Sequence, residues 1–270
     1  MDMPIDYNNR CNMSVHQSKD TNLKDVSKNT KYNPTKPIIA TMTLISQIDS
    51  NIDLVNFSKY LNLSQDGITY VKYNKNNNLI ERSIEKISNM KKRKKPKKYF
   101  YNQCTVLINT GTKTVNLKLF LNGKIQMTGC KSLQDAQIAL RVLSEELKKE
   151  KYILVDSKLV QKEIINNINF KINEPNIELI NSVFQTGINI DRDKLHQILV
   201  NEYNIQATYQ PVIYVGINSK FIAKSGTKVS ILIFQTGKII ITAAKTLQDI
   251  EDSYEFINMV FSEHQSVIQR

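Results

Sequence analysis

The sequence predicts an α+β fold in which two pseudo-symmetric repeats form one continuous antiparallel sheet, with helices on one face and an open surface on the other. The first observation is that residues 117–135 (LKLFLNGKIQMTGCKSLQD) and 231–249 (ILIFQTGKIIITAAKTLQD) are identical at nine of nineteen aligned positions. The second is that strand and helix patterns follow in the same order in both halves of the chain. The third is that a single unit would leave a sheet edge uncovered, which a second copy can pair.

The second repeat provides the template. It is predicted as strand, helix, three strands and helix, over residues 176–189, 191–203, 210–218, 228–236, 238–245 and 246–261. Asp191 and Thr246 are suitable N-caps, because their side chains can accept hydrogen bonds from the free amides of a first helical turn. Asp249, three residues after Thr246, completes a capping box. Gly237 suits the positive φ of a tight turn between the last two strands.

The first repeat follows the same order. Its elements are predicted over residues 38–48, 53–61, 101–109, 114–122, 124–131 and from 132 onward. Ser132 with Asp135 repeats the capping pattern, and Gly123 repeats the turn glycine. Residues 64–98 interrupt this repeat with a basic insertion, in which 79–90 have a helical period. The chain is therefore divided into a disordered tail, a first repeat, a linker and a second repeat, at residues 1–35, 36–150, 151–175 and 176–270.

The positive charge is concentrated in the first repeat. The net charge is +12, and residues 36–150 contain 20 Lys and Arg against 9 Asp and Glu. Residues 72–98 alone contain 11 basic and 2 acidic residues, including KKRKKPKK at 91–98. This balance favours a polyanionic partner. The basic run could contact phosphates beside the sheet, act as a nuclear address, or be a solvated loop.

Other functional classes lack their signatures. The three cysteines, Cys11, Cys104 and Cys130, have neither disulfide nor metal-site spacing, so we expect a reducing compartment and no metal. No apolar stretch reaches eighteen residues and the N-terminus has no apolar signal core, so we expect neither a membrane span nor secretion. The three histidines are isolated, and no P-loop, G-x-S-x-G, H-E-x-x-H or C-x-x-C motif occurs. We therefore expect no enzyme and no cofactor.

The duplicated segment resembles the TATA-binding protein family. LKLFLNGKIQMTGCK and ILIFQTGKIIITAAK match the family's repeated Phe-x-x-Gly-Lys-x-x-x-Thr-Gly-Ala-Lys hairpin, and YQPVIYVGI at 209–217 is similar to its Tyr-Glu-Pro-Glu-Leu-Phe-Pro-Gly segment. The resemblance covers residues 36–61, 99–147 and 176–261. It implies that the two repeats form one curved antiparallel sheet, a saddle, with helices on its convex face. The concave face would lie on the DNA minor groove, with aromatic rings wedged between base steps at each end.

The resemblance also implies roles for individual residues. The wedges would be Phe100 and Phe120 in the first repeat and Tyr214 and Phe234 in the second, each pair twenty residues apart. Core packing of these rings is the alternative. The groove floor would be formed by Thr41, Thr43, Lys118, Gln126, Thr128, Leu179, Asn181, Leu232, Ile240 and Thr242. Phosphates would be contacted by Lys124, Lys131, Lys220, Lys238 and Lys245, so that affinity falls steeply with salt.

Four positions of the floor depart from the family pattern. Thr41 and Leu179 align with the family's central Asn residues, while Asn181, two places on, could substitute, with Thr43 as its counterpart. Lys118 and Gln126 replace small apolar or Thr residues. We therefore expect the first half of the floor to be more polar and to read different base pairs.

The family implies a transcription initiation factor that bends AT-rich promoter DNA as a monomer and recruits a B-type general transcription factor and RNA polymerase. The alternative is a module of the same fold that has lost sequence-specific DNA binding and only binds proteins. The Asn-, Lys- and Ile-rich composition and the departures above resemble versions from large DNA viruses. The implied location is the nucleus, or the host cytoplasm or virion.

Overall fold

One antiparallel sheet runs through both repeats. The computed structural model describes residues 32–85 and 102–270, where eleven strands form this sheet and two more form a separate hairpin. The strands are β1 (Ile38–Gln47), β2 (Ile68–Lys75), β3 (Asn78–Ser83), β4 (Gln103–Asn109), β5 (Thr114–Phe120), β6 (Lys124–Cys130), β7 (Tyr152–Val155), β8 (Lys158–Gln161), β9 (Asn176–Gln185), β10 (Gln206–Gln210), β11 (Tyr214–Ile222), β12 (Lys228–Ile233) and β13 (Lys238–Ala244). The helices are α1 (Leu54–Tyr60), α2 (Leu133–Leu147), α3 (Arg192–Asn201), α4 (Leu247–Glu263) and α5 (Gln265–Ile268).

The two repeats meet at the centre of the sheet, where β1 pairs with β9 and Met42 lies opposite Ile180. The strand order is β10-β11-β12-β13-β9-β1-β6-β5-β4-β2-β3. The five strands on each side of the centre therefore mirror one another, and β3 is an additional edge strand. This order confirms the prediction of two pseudo-symmetric repeats in one sheet.

Side chains alternate between a covered and an open face of the sheet. Successive residues of a strand point to opposite faces, so Leu117 and Leu119 of β5 are fully buried, whereas Lys118 and Phe120 are half-buried. The four longer helices pack on the covered face, where Phe261 of α4 is among the largest fully buried side chains. The opposite face carries no helix among the described residues. No helix in these ranges is long and apolar enough to cross a membrane.

The predicted caps and turns are present in both repeats. Ser132 and Thr246 accept hydrogen bonds from the amides of Asp135 and Asp249, and each aspartate accepts one in return from the backbone of its N-cap residue. These reciprocal bonds satisfy amides that a helix start otherwise leaves free. The turn glycines have φ of +79° and +75° in the first and second repeat.

Part of the predicted insertion, residues 68–75, belongs to the repeat itself. β2 pairs with β4 as β10 pairs with β11, so β2 is a regular strand of the repeat. The helical prediction for 79–90 was wrong for 79–83, which belong to β3. There Glu81 lies opposite Lys72, with Nζ and Oε2 3.0 Å apart. Opposite charges facing each other stabilise a strand pair. The basic run 91–98 lies outside the described residues.

The two flanking segments contribute to the fold. Residues 1–31 of the predicted tail lie outside the described residues, but Thr35 donates its amide to the carbonyl of Gln185 at 2.9 Å. The expectation of a disordered tail therefore extended too far, because residues 32–35 bond to the backbone at the end of β9. In the linker, β7 and β8 form a hairpin, and Ile164 and Phe170 are buried in the core.

Candidate nucleic-acid interface

The ten predicted floor residues all lie on the open face of the sheet and are half-buried. Their neighbours in sequence, such as Met42, Ile180 and Ile241, point into the core. The strand alternation that predicted a shared face is therefore confirmed, whereas contact with DNA stays a prediction.

Two equivalent rows of side chains cross this face, one in each repeat. On β4, β5, β6 and β1 the row consists of Thr105, Lys118, Gln126 and Ile45. On β11, β12, β13 and β9 it consists of Asn218, Leu232, Ile240 and Val183. The outer four of these eight were missed by the sequence reasoning. Two of these four, Ile45 and Val183, could have been found by extending the strand alternation two residues beyond Thr43 and Asn181.

The centre of the open face contains two pairs related by the symmetry of the repeats. Thr41 lies opposite Asn181, and Thr43 lies opposite Leu179. The Thr242 hydroxyl donates to Oδ1 of Asn181 at 2.5 Å. The Asn181 amide nitrogen has no hydrogen-bond partner within residues 32–85 and 102–270. Thr242 thus fixes the carboxamide oxygen and leaves its two N–H donors unused on the open face.

Two aromatic rings lie together at the second-repeat end of this face. The Tyr214 and Phe234 ring centroids are 6.0 Å apart with an interplanar angle of 66°, an edge-to-face pair. Tyr214 is 41% exposed. Gly216 makes room for both rings, because a Cβ there would lie 3.0 Å from Tyr214 Cε1 and 3.2 Å from Phe234 Cε1. The predicted pair is therefore present on the predicted face.

The equivalent end of the first repeat is built differently. Phe120 lies half-buried on the open face opposite Gln103, where the second repeat has Gly216. The loop between β4 and β5 has four residues (110–113) and that between β11 and β12 has five (223–227). The two loops therefore differ by one residue. Phe100, the predicted ring partner of Phe120, lies outside the described residues, so its wedge role stays a prediction.

The five predicted phosphate-contacting lysines differ in their surroundings. Lys124 and Lys238 are exposed at the starts of β6 and β13. Lys220 donates to the hydroxyl of Ser230 at 2.5 Å on the open face. Lys131 is exposed, while its counterpart Lys245 forms an ion pair with Glu178 at 3.0 Å. Four of the five ammonium groups thus have no acidic partner within the described ranges.

Arg192 is a further residue that the sequence reasoning missed. It begins α3 and donates to the backbone oxygen of Val215 and, at 2.9 Å, to Oε1 of Gln235. Its guanidinium also lies 5.2 Å from the Tyr209 ring centroid. These contacts fix the two segments that carry Tyr214 and Phe234. A cleft of about 440 Å³ opens beside them and is lined by Arg192, Val215, Phe234, Gln235, Thr236, Lys238 and Ile240. No sequence motif marks such a residue.

Comparisons with known proteins agree with this geometry. The family model described as "Transcription factor TFIID (or TATA-binding protein, TBP)" matches residues 174–264. A TATA-box-binding protein-like protein of Acanthamoeba polyphaga mimivirus is 36% identical over 248 residues, which are 86% of this chain and 66% of that protein. This chain belongs to the TATA-binding protein family. A family member from Methanococcus vannielii is 27% identical over 149 residues, 55% of this chain and 69% of its own length.

The fold of the family is also present. The solved Methanococcus jannaschii TBP matches with a TM-score of 0.53 at 20% identity, over 85% of this chain and 99% of that one. The saddle prediction is confirmed by this match. The expectation of a divergent, virus-type family member is supported by the mimivirus relative. The family model matches the second repeat. The first repeat has Lys118 and Gln126 at floor positions where the second has Leu232 and Ile240.

Proposed function

We propose that this protein is a transcription initiation factor of the TATA-binding type, which binds AT-rich promoter DNA in the minor groove through its open face and bends it. The observation that carries the proposal is the Tyr214–Phe234 ring pair at one end of the open face, which carries no helix in the described part of the chain, with Phe120 at the equivalent end of the other repeat. Rings at two ends of a surface can enter separate base steps. The resulting bend lets the strands between them contact more of the groove.

The central residues support minor-groove contact. The floor of that groove presents acceptors on every base pair. Asn181 directs unused N–H donors to the open face while its oxygen is bonded to Thr242. The neighbouring Thr41, Thr43 and Leu179 are small or apolar enough for close approach. We expect Asn181 to bond near the central base step, in place of the Asn that the family has at the aligned position.

The basic residues support binding to the backbone. Lys124, Lys131 and Lys238 are free to contact phosphates, each of which would release counterions. Lys245 would exchange Glu178 for a phosphate. Since both members of that pair are about half exposed, the ion pair is worth about 1 kcal/mol or less and a phosphate can displace it. We expect Lys238→Ala to lower the slope of log affinity against log salt by about one.

The proposed partners follow from the family: a B-type general transcription factor and RNA polymerase, with the protein acting as a monomer on DNA and without catalysis of its own. Its place would be the nucleus, or the host cytoplasm or virion of a large DNA virus. The alternative is an interaction module that has lost sequence-specific binding. The Glu178–Lys245 pair and the polar Lys118 and Gln126 on the floor favour that alternative.

A bending assay tests the proposal. Energy transfer between dyes at the two ends of an AT-rich duplex reports the bend at low salt. We expect the full chain to bring the dyes together, and the double variant Phe120→Ala with Phe234→Ala to bind weakly and leave the duplex straight. Tyr152→Ala removes an exposed ring from the β7–β8 hairpin and should bend DNA like the wild type.

Circular dichroism and thermal unfolding of each variant separate loss of wedging from loss of folding. If a folded wild type produces no bend at low salt, the bending function is wrong and the interaction module is favoured. Bending that survives in the double variant would contradict the wedge roles of Phe120 and Phe234.

A further inference from the structure

The two halves of the open face differ most at one pair of positions. Lys118 on β5 lies opposite Gln126 on β6, and at the equivalent place Leu232 on β12 lies opposite Ile240 on β13. All four side chains are half-buried. Neither the Lys118 ammonium nor the Gln126 carboxamide has a hydrogen-bond or ion-pair partner in the part of the chain that the structure describes. Two polar groups therefore face the surface with their bonding capacity unused.

The hydrogen-bonding groups of the minor groove indicate how this difference would affect base recognition. A·T and T·A pairs present only acceptors in the minor groove, and a G·C pair adds the guanine N2 amino donor. Over Leu232 and Ile240 that amino group would be covered by apolar surface without a partner, which is costly. Gln126 can accept from the amino group through Oε1, and Lys118 can donate to the neighbouring O2 or N3 acceptors.

We propose that Lys118 and Gln126 make the DNA site asymmetric: the half under the first repeat accepts a G·C pair at their row, and the half under the second repeat requires A·T. This inference rests on the proposed minor-groove binding. It also gives the protein a preferred orientation on its site, since the two half-sites are no longer equivalent. Orientation matters for a factor whose partners approach from one side.

The experiment is a substitution scan of an all-A·T duplex, with affinity measured by fluorescence anisotropy. A single G·C pair is placed at each position in turn, and a second series uses inosine·cytosine, which lacks the N2 amino group. For the wild type we expect G·C to weaken binding about ten-fold or more at positions in one half and to be tolerated at one or two positions in the other. Inosine·cytosine should be tolerated in both halves.

Residues exchanged between the repeats provide matched controls. Lys118→Leu with Gln126→Ile should lose the tolerance, so that G·C costs about ten-fold in both halves relative to the affinity of the same variant for the all-A·T duplex. Leu232→Lys with Ile240→Gln should gain tolerance in the second half. Equal sensitivity to G·C in both halves of the wild type would overturn the inference and leave the proposed function intact. Unchanged asymmetry in the Lys118 and Gln126 variant would overturn it as well. Absence of binding to the all-A·T duplex by the wild type would overturn both proposals.

Discussion

The first and second repeats share a framework and differ on the surface that the framework presents. Capping boxes, turn glycines and the central strand pairing occur in both. On the open face, however, Lys118 and Gln126 stand where the second repeat has Leu232 and Ile240, and Gln103 stands where it has Gly216. Framework residues are constrained by backbone geometry and burial, whereas an open face is constrained only by what binds to it.

The comparison extends to how each end of the face is held. In the second repeat Arg192 bonds to both segments that carry the ring pair. The first repeat has Leu54 at the equivalent start of α1, where it is buried. The start of α1 therefore lacks the bonds that Arg192 makes at the start of α3. If the framework is the same in both repeats, the same substitution at equivalent framework positions should change the free energy of unfolding by the same amount.

The turn glycines should give the largest effect. An alanine Cβ at Gly237 would lie 2.3 Å from the Ile188 carbonyl oxygen, and one at Gly123 would lie 2.3 Å from that of Ile48. Backbone cannot move away as a flexible side chain can, and the positive φ adds strain. We expect Gly123→Ala and Gly237→Ala each to lower the free energy of unfolding by about 3 kcal/mol. Urea unfolding followed by circular dichroism measures this.

Two other glycines with positive φ allow the cost of the steric clash to be measured apart from the cost of backbone strain. Gly111 and Gly226 have φ of +86° and +84°, and no atom lies within 4 Å of the position that an alanine Cβ would take at either. Their replacement by alanine should cost about 1 kcal/mol, from backbone strain alone. A cost at Gly237 no greater than that at Gly226 would show that the turn can relax and that the framework tolerates more change than its geometry implies.

The capping aspartates should give the next largest effect. Burial tends to raise the pKa of Asp249, but hydrogen bonds from the Ser225 hydroxyl and the amides of Lys245 and Thr246 outweigh it and hold the pKa below its ordinary value. The pKa of Asp135 is lowered in the same way. We expect Asp249→Asn and Asp135→Asn each to cost about 1–2 kcal/mol at pH 7.

The pH dependence follows from the direction of these shifts. A carboxyl with a lowered pKa in the folded state stabilises fully above its unfolded pKa of about 4 and loses this contribution as the pH falls through the folded pKa. Wild type should therefore lose stability on acidification below about pH 4, and each variant should lose less. Asp66→Asn, at an exposed turn, is the control. A variant with the wild-type pH profile would exclude that aspartate as a source of the acid sensitivity.

Much of this framework could be predicted from the sequence, because it depends on local chemistry. Ser132 and Thr246 were recognisable as caps from the aspartate three residues later, and the turn glycines from their place between two alternating strands. The shared face of the floor residues followed from alternation alone. These signals lie within a few residues of one another in the chain.

Features that depend on distant pairing could not be predicted in this way. β2 was missed because buried and half-buried residues do not alternate regularly along it. β10 was missed because it has only five residues. The one-residue difference between the β4–β5 and β11–β12 loops could not be predicted either, because it depends on which residues of distant segments pair. Arg192 acts through contacts 23 and 43 residues away in sequence.

The smallest effect is expected at two β-bulges next to the central strand pair, where the registers of the β1–β6 and β13–β9 pairs shift. Gly129 has φ of +87°, and its counterpart Ala243 has φ of +67°, a conformation that costs a residue with a Cβ about 1–2 kcal/mol. Ala243→Gly should relieve this strain, but glycine loses more conformational entropy on folding, which offsets part of the gain. We therefore expect the free energy of unfolding to rise by about 0.5–1 kcal/mol. Gly129→Ala should destabilise by about 1 kcal/mol, since its Cβ would contact only the Thr114 carbonyl oxygen at 3.4 Å. Urea unfolding of both variants measures the pair. Opposite signs at equivalent positions would show that the second repeat carries strain that the first avoids, while destabilisation by Ala243→Gly would contradict this.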